Sequence, residues 1–232
     1  MLVVHHARGM SMATVLAQRQ VEFTTSPFVP LALGFFGLGV GYLIYGPEEL
    51  FRLPKRSRAV DITTGLWGIW MPGFLQFVTG VLLFVGLMWF HTFREPPLFM
   101  AAVAFTAYGV HWWSLGMARA LGGDPRPNGF MAIGFTSLSA LGIVVFFKAH
   151  DAEVAGLFIG LTAVYVCEFF ASLGVRETVT GPPGSAPVRT PTRLGELGER
   201  ALGFFHLGVG GWLMYLTWAA ALRAATDIKL PL

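Results

Sequence analysis

The 232-residue chain has too few charged side chains to cover a water-soluble surface. Hydrophobic residues make up 54% of it and Asp, Glu, Lys and Arg only 12%, against about 25% charged residues in soluble domains. This composition excludes an ordinary soluble domain and favours a chain embedded in lipid. The net charge of +3 does not indicate nucleic-acid binding, because the Lys and Arg residues lie mostly between apolar segments, as they do in membrane proteins.

Six apolar segments follow one another along the chain, each close to the length of about 20 residues that a transmembrane helix needs. They cover residues 27–45, 62–89, 97–117, 129–147, 154–173 and 201–222. The connections are rich in charged residues, Pro and Gly, and the longest, at 178–196, is expected to be a mobile loop. We therefore predict an all-α fold, a six-transmembrane-helix bundle with no sheet and no soluble domain.

The predicted membrane domain covers residues 26–223. Residues 1–25 lack an uninterrupted apolar core followed by a cleavage site of small residues, so we expect an N-terminal tail or interfacial helix there, and a C-terminal tail at 224–232. The loops after the first, third and fifth segments carry more Lys and Arg than the tails and the other loops, which favours termini outside the cytoplasm. We predict an integral protein of the cytoplasmic membrane of a bacterium.

Glycines recur at short spacing in the first and sixth segments. They are Gly34, Gly37, Gly39 and Gly41 in the first segment, and Gly203, Gly208, Gly210 and Gly211 in the sixth. Small residues let helix backbones approach closely in lipid. These two helices should therefore be deeply packed, against each other or against another subunit, and we expect a homo-oligomer.

Glu168 is the most informative polar residue, because it lies two-thirds along the fifth apolar segment, where a bare carboxylate is costly. One interpretation is a carboxylate that couples transport to protons. The other is a structural carboxyl group, either protonated or paired with Arg176 or with a neighbouring helix.

His111 and His206 lie within different apolar segments. Two such histidines can hold a haem, or each can hydrogen-bond a hydroxyl group in the bundle. Metal sites need three or four converging ligands, so we predict no metal site and no cofactor. The chain also has no phosphate-binding loop, no CxxC or HExxH motif and no Ser-His-Asp order, and we do not expect an enzyme.

The third segment contains AFTAYGVHWWSLGM, which resembles the AFTSYGxFWLxL segment of the acetate uptake transporter family, the succinate–acetate permeases. GIWMPGFLQFVTGVL in the second segment is similar to that family's GIFYGGxAQxxAGxxE helix, and the sixth segment resembles its glycine-patterned ending. The first segment, SPFVPLALGFFGLG, resembles the family's NPAPLGLxGF entry. The resemblance covers residues 26–223, and Glu168 departs from it at a position that is usually apolar in the family.

The resemblance implies a six-helix protomer, commonly in a hexamer, with a path for acetate and related small carboxylates through each protomer. It implies a narrow apolar constriction formed by a Phe of the first helix, the Tyr of the third-helix motif and a Leu of the fifth. In this chain those residues are Phe36 or Phe35, Tyr108 and Leu161, and Thr106 and Gln76 are the polar groups expected near the path. Such a ring admits a small dehydrated or protonated acid and rejects hydrated ions.

Two functions from different classes remain open. The preferred one is a membrane channel or proton-coupled transporter for small monocarboxylates, supported by Tyr108 and Gln76 in their motif positions. The alternative is a non-transporting membrane subunit or haem-bearing anchor of a larger complex, which His111 and His206 leave possible.

Overall fold

Six long helices follow in chain order in the computed structural model, which describes residues 28–178, 188–226 and 228–230. They are α1 (Phe28–Phe51), α2 (Arg58–Met88), α3 (Pro97–Leu121), α4 (Arg126–Lys148), α5 (Ala152–Leu173) and α6 (Arg193–Ala225). By length and composition, α1 to α5 are suited to cross a membrane. The helix α6 has the length, and its Gly, His and Trp residues lower its hydropathy. The predicted all-α six-helix fold is confirmed, and the predicted tail at 1–25 lies outside the described residues.

The helices form a closed ring, because each packs against the next in the chain and α6 packs against α1. Glycines set the distance between α1 and α6. A Cβ atom on Gly46 would lie 3.2 Å from the carbonyl oxygen of Gly203, and one on Gly203 would lie 2.9 Å from that of Gly46. The close packing predicted for the first and sixth helices is confirmed, and the two pack against each other.

The ends of α1 and α6 extend beyond the predicted spans. The helix α1 continues through Pro47 to Phe51, although the Gly46–Pro47 pair is typical of a break. It continues because the two carboxylates that follow, Glu48 and Glu49, are buried against partners on other helices. The helix α6 begins at Arg193, where the Thr192 hydroxyl caps it by accepting a hydrogen bond from the Gly195 N–H at 3.2 Å.

The helix α2 contains one irregular segment. Residues Ile69–Phe74 form a π-helical turn that includes Pro72. Proline lacks the N–H that a regular helix uses at this position, and such turns relieve the interruption without ending the helix. The turn ends two residues before Gln76.

A short antiparallel hairpin joins α5 to α6, formed by β1 (Val175–Thr178) and β2 (Val188–Pro191), with Val175 opposite Pro191. The prediction of no sheet is therefore wrong at this position. The two strands pair because α5 and α6 are neighbours and bring the ends of the connection together, as the hydrogen bond from the Thr192 N–H to the Gly174 carbonyl at 2.8 Å shows. Residues 179–187 of the predicted mobile loop lie outside the described part of the chain.

Candidate substrate path

A wide cavity of about 510 Å³ occupies the end of the bundle where α1 meets α2, α3 meets α4 and α5 meets α6. We call it the vestibule. Its lining is aromatic and polar, and includes Tyr42, Tyr45, Glu49, Tyr165, Glu168 and His206. A cavity at this position gives solutes on one side of the membrane access to the interior of the bundle.

A second cavity, of about 80 Å³, lies toward the opposite end and is lined by residues of all six helices. We call it the apolar cavity. Leu, Ala, Val and Phe side chains make up most of its surface, and Gln76, Tyr108 and Asp151 supply its polar groups. No Lys, Arg or His is among its described lining residues, so a solute that enters it meets no positively charged side chain.

Two stacked tyrosines separate the cavities. Tyr108 lines the apolar cavity and Tyr165 lines the vestibule, and their ring centroids are 5.6 Å apart. The Tyr108 hydroxyl is hydrogen-bonded to the Ser139 hydroxyl on α4 at 2.8 Å, which fixes the ring. The two rings are therefore in contact where the linings of the two cavities meet.

Most of the residues predicted for the path lie around the apolar cavity. Phe35, Tyr108 and Leu161 line it together with Gln76. Phe36 points away from the bundle, with 42% of its surface exposed, whereas Phe35 is 6% exposed. Of the two alternatives for the first helix, the geometry therefore favours Phe35.

Thr106 is not among the lining residues of either cavity. Its hydroxyl donates a hydrogen bond to the Ala102 carbonyl at 2.8 Å. The side chain lies against Gly80 of α2, where an added Cβ would clash with it. Thr106 thus lies at the contact between α2 and α3 and outside the linings of both cavities.

Gln76 has an unusual environment for an amide. Its side chain is completely buried, and neither its oxygen nor its nitrogen has a hydrogen-bond partner among the described residues. A buried amide without partners costs about 1–3 kcal/mol. Because Gln76 lines the apolar cavity, its amide can supply both a donor and an acceptor to a molecule held there.

The vestibule also contains the intramembrane Glu and His residues singled out in the sequence. The Glu168 carboxylate accepts a hydrogen bond from the Ser172 hydroxyl at 2.8 Å. His206 Nδ1 lies 2.6 Å from a carboxylate oxygen of Glu49, and its ring stacks on Tyr42 at a centroid distance of 4.3 Å. His111 is buried and lines the same cavity. Among the residues that the structure describes, no three His, Cys, Asp or Glu side chains converge as metal ligands do.

Ion pairs close the sides of the vestibule. Arg119 of α3 is hydrogen-bonded to Glu48 of α1 and lies 3.3 Å from the Asp61 carboxylate of α2. Arg56 binds Glu48 at 2.7 Å and Glu199 of α6 at 3.0 Å. Together they link four helices at this end of the bundle.

Three residues around the vestibule were not predicted from the sequence because they lie beyond the predicted spans: Glu48, Glu49 and Arg119. One signal was available for Glu49. It follows Tyr45 by four residues and Tyr42 by seven, which places all three on one face of a helix. That face lines the vestibule.

Among the described residues outside the membrane spans, Asp151 and Arg56 have shifted pKa values. Burial raises the pKa of Asp151, which lines the apolar cavity, although the hydrogen bond from the Val154 N–H opposes the shift. Burial acts to lower the pKa of Arg56, but its hydrogen bond to Glu48 and the charge of Glu199 outweigh burial and raise that pKa.

Comparison with known proteins identifies a related fold. No protein-family model matches this chain, and no curated protein sequence matches it. The solved structure of the bacterial acetate channel SatP is similar, with a TM-score of 0.63 over 88% of this chain and 97% of that chain, at 16% sequence identity.

The structural likeness at 16% identity establishes the fold alone. The chain has the helical fold of that channel protein. With five helices suited to cross a membrane, it is an integral membrane protein.

Proposed function

We propose that the protein is a distant member of the acetate uptake transporter family, and that it carries acetate and related small monocarboxylates across the cytoplasmic membrane of a bacterium as a channel or proton-coupled transporter. The observation that carries this proposal is the apolar cavity, lined by Phe35, Tyr108 and Leu161 and adjoining the vestibule. The fold shared with the acetate channel SatP also supports it.

The chemistry of the apolar cavity suits a small carboxylic acid. Methyl or short alkyl groups pack against its Leu, Val and Phe side chains, and the unpaired amide of Gln76 can hydrogen-bond both oxygens of a carboxyl group. The cavity of about 80 Å³ selects against larger acids. A hydrated inorganic ion finds no set of ligands there to replace its water.

Uptake of labelled acetate into liposomes that contain the purified protein tests the proposal. We expect uptake above that of protein-free liposomes, and we expect Leu161→Trp to abolish the excess because the indole fills the cavity. Leu141→Trp is the matched control, since Leu141 is 53% exposed on the outside of the bundle. Uptake equal to that of protein-free liposomes would remove the transport function.

The rival function is a haem-bearing or purely structural subunit. In favour of it, His111 and His206 line one cavity; against it, His206 Nδ1 is already bound to Glu49. An absorption spectrum of the purified protein distinguishes the two, because bound haem gives a Soret band.

A further inference from the structure

We infer that the substrate crosses the apolar cavity as the uncharged acid, and that Glu168 and the Glu49–His206 pair exchange its proton in the vestibule. This inference rests on the proposed function in its proton-coupled form, and what it adds is the identity of the side chains that exchange the proton. It assigns a proton-exchange site to side chains at the vestibule end of α1, α5 and α6.

The apolar cavity is the first reason. Its lining offers one carboxyl group, Asp151, and no basic side chain among the described residues. A carboxylate moved from water into such surroundings loses its hydration and meets no compensating charge, which costs several kcal/mol. A neutral acid needs only a hydrogen-bond donor and an acceptor, and the unpaired amide of Gln76 supplies both.

The second reason is that the vestibule provides little attraction for an anion. The two guanidinium groups of its described lining are already engaged: Arg119 with Glu48 and Asp61, and Arg56 with Glu48 and Glu199. The remaining charged lining is largely acidic. An electrostatic trap for carboxylates has the opposite composition.

The third reason is the placement of groups that can take a proton. The Glu168 carboxylate has a hydroxyl partner, Ser172, at 2.8 Å and no guanidinium or ammonium group within ion-pair distance among the described residues. Glu49 and His206 form a buried pair at 2.6 Å, in which one proton can lie on either side chain. The Tyr45 hydroxyl is buried in the same cavity and has no partner among the described residues, so it can hold a carboxyl group during the exchange.

The surroundings of Glu168 are rich in titratable groups. Those that face the vestibule with it, or act on it electrostatically, are Tyr42, Tyr45 and Glu49 of α1, Arg56 before α2, Asp61 of α2, His111 and Arg119 of α3, Asp124 before α4, Tyr165 and Cys167 of α5, and Glu199 and His206 of α6. Because these groups interact, a pH dependence of transport reports on all of them together. Single substitutions identify which group is responsible for it.

The proton balance is simple. When the acid arrives in the vestibule, its O–H bond breaks and an O–H bond forms on the Glu168 carboxylate. The substrate leaves into water as its anion. The O–H bond on Glu168 then breaks as the Glu49–His206 pair takes the proton, and the pair releases it to vestibule water, so that Glu168 is a carboxylate again. The reverse sequence loads the substrate, and each cycle moves one proton with one carboxylate and no net charge.

Flux in liposomes under an imposed membrane potential tests the inference. The full-length protein is reconstituted with a K⁺ gradient and valinomycin, labelled acetate is added, and the flux of protein-free liposomes is subtracted. We expect a protein-dependent flux that is the same at either sign of the potential and that acidifies the lumen. A flux that follows the potential and leaves the lumen pH unchanged would overturn the inference while leaving the transport function standing. No protein-dependent flux would overturn both.

Variants locate the exchange site. Glu168→Gln and Glu49→Gln each keep a similar shape and remove the exchangeable carboxylate, and we expect each to lower the flux at neutral pH roughly tenfold. The control is Glu95→Gln, which changes an exposed carboxylate in the loop between α2 and α3. Wild-type flux in both vestibule variants would contradict the assignment. Thermal unfolding shows whether each variant is folded. The measurement of flux under an imposed membrane potential uses the unmodified protein and does not depend on the variants.

Discussion

Phe35 and Phe36 are neighbours in the chain and face different surroundings. Successive side chains on an α-helix are turned by about 100°, so one phenylalanine reaches the apolar cavity while the other lies on the outside of the bundle. The first helix resembles the entry motif of the acetate uptake transporter family only in part, and the resemblance therefore left Phe35 and Phe36 as alternatives. Packing between α1 and α3 determines it, through contact of Phe35 with Phe105 at 5.6 Å.

Leu161 is the side chain at which substrate size is most directly testable. Leu161→Ala enlarges the apolar cavity, so we expect uptake of lactate relative to acetate to rise roughly tenfold, the range that one or two methyl groups contribute in an apolar site. Competition assays in liposomes measure the ratio. Phe36→Ala, on the outer surface, should leave the ratio unchanged, and an equal change in both variants would show that the cavity does not select substrates.

Asp151 provides a prediction for stability. Its folded-state pKa is raised by burial, so the folded protein holds the proton more tightly than the unfolded chain, and its ionised form costs stability. This loss in the free energy of unfolding is absent below the unfolded pKa near 3.8 and develops as the pH rises through the folded pKa. Asp151→Asn keeps the helix cap to Val154 and should raise the melting temperature at pH 7 but not below pH about 4. A lower melting temperature at pH 7 would contradict this account.

At the level of elements, the apolar runs predicted the existence and order of all six helices. The ends of α1 and α6 were not predictable from local composition, because buried partners on other helices stabilise them. Glu48 and Glu49 look like loop residues until Arg119 and His206 are seen to bind them. The hairpin depends likewise on α5 and α6 being neighbours.

The contact between α2 and α3 depends on a glycine. A Cβ atom on Gly109 would lie 2.5 Å from the backbone nitrogen of Phe77 and 2.8 Å from the carbonyl oxygen of Gly73. Backbone cannot rotate away as a side chain can, so Gly109→Ala forces the helices apart. We expect the substitution to lower the free energy of unfolding by about 1–3 kcal/mol.

Thermal unfolding in detergent measures that cost. Gly134→Ala of α4 is the control, because a Cβ there meets no atom within 4 Å, and better helix propensity should stabilise that variant by up to about 1 kcal/mol. Equal stability of the two variants would mean that the α2–α3 contact tolerates separation.

At the level of the whole molecule, the ring of helices explains why the candidate path involves every span. The apolar cavity takes lining residues from all six helices, whereas the motifs in the sequence pointed to four of them. The vestibule was not predicted, since it is formed by helix ends and loops that approach one another only after folding. Contacts of this kind leave no local pattern in the sequence.

The outer surface of the bundle bears on assembly. Gly208 and Gly211 are three residues apart and share a face of α6, and a Cβ on either would meet no atom within 4 Å in the protomer. Such a face allows another helix to approach closely in lipid. We therefore expect a homo-oligomer, a hexamer by family resemblance, that buries this face.

Mass photometry in detergent tests the assembly. Beyond the micelle, the expected mass is that of six protomers of 25.2 kDa. Gly208→Leu places a branched side chain on the open face of α6 and should shift the population toward smaller species without loss of helicity. Gly134→Leu adds the same side chain at an open position of α4 and should leave the mass unchanged. A wild-type protein found only as a monomer would show that each protomer works alone, and the path through the centre of a single bundle would still be complete.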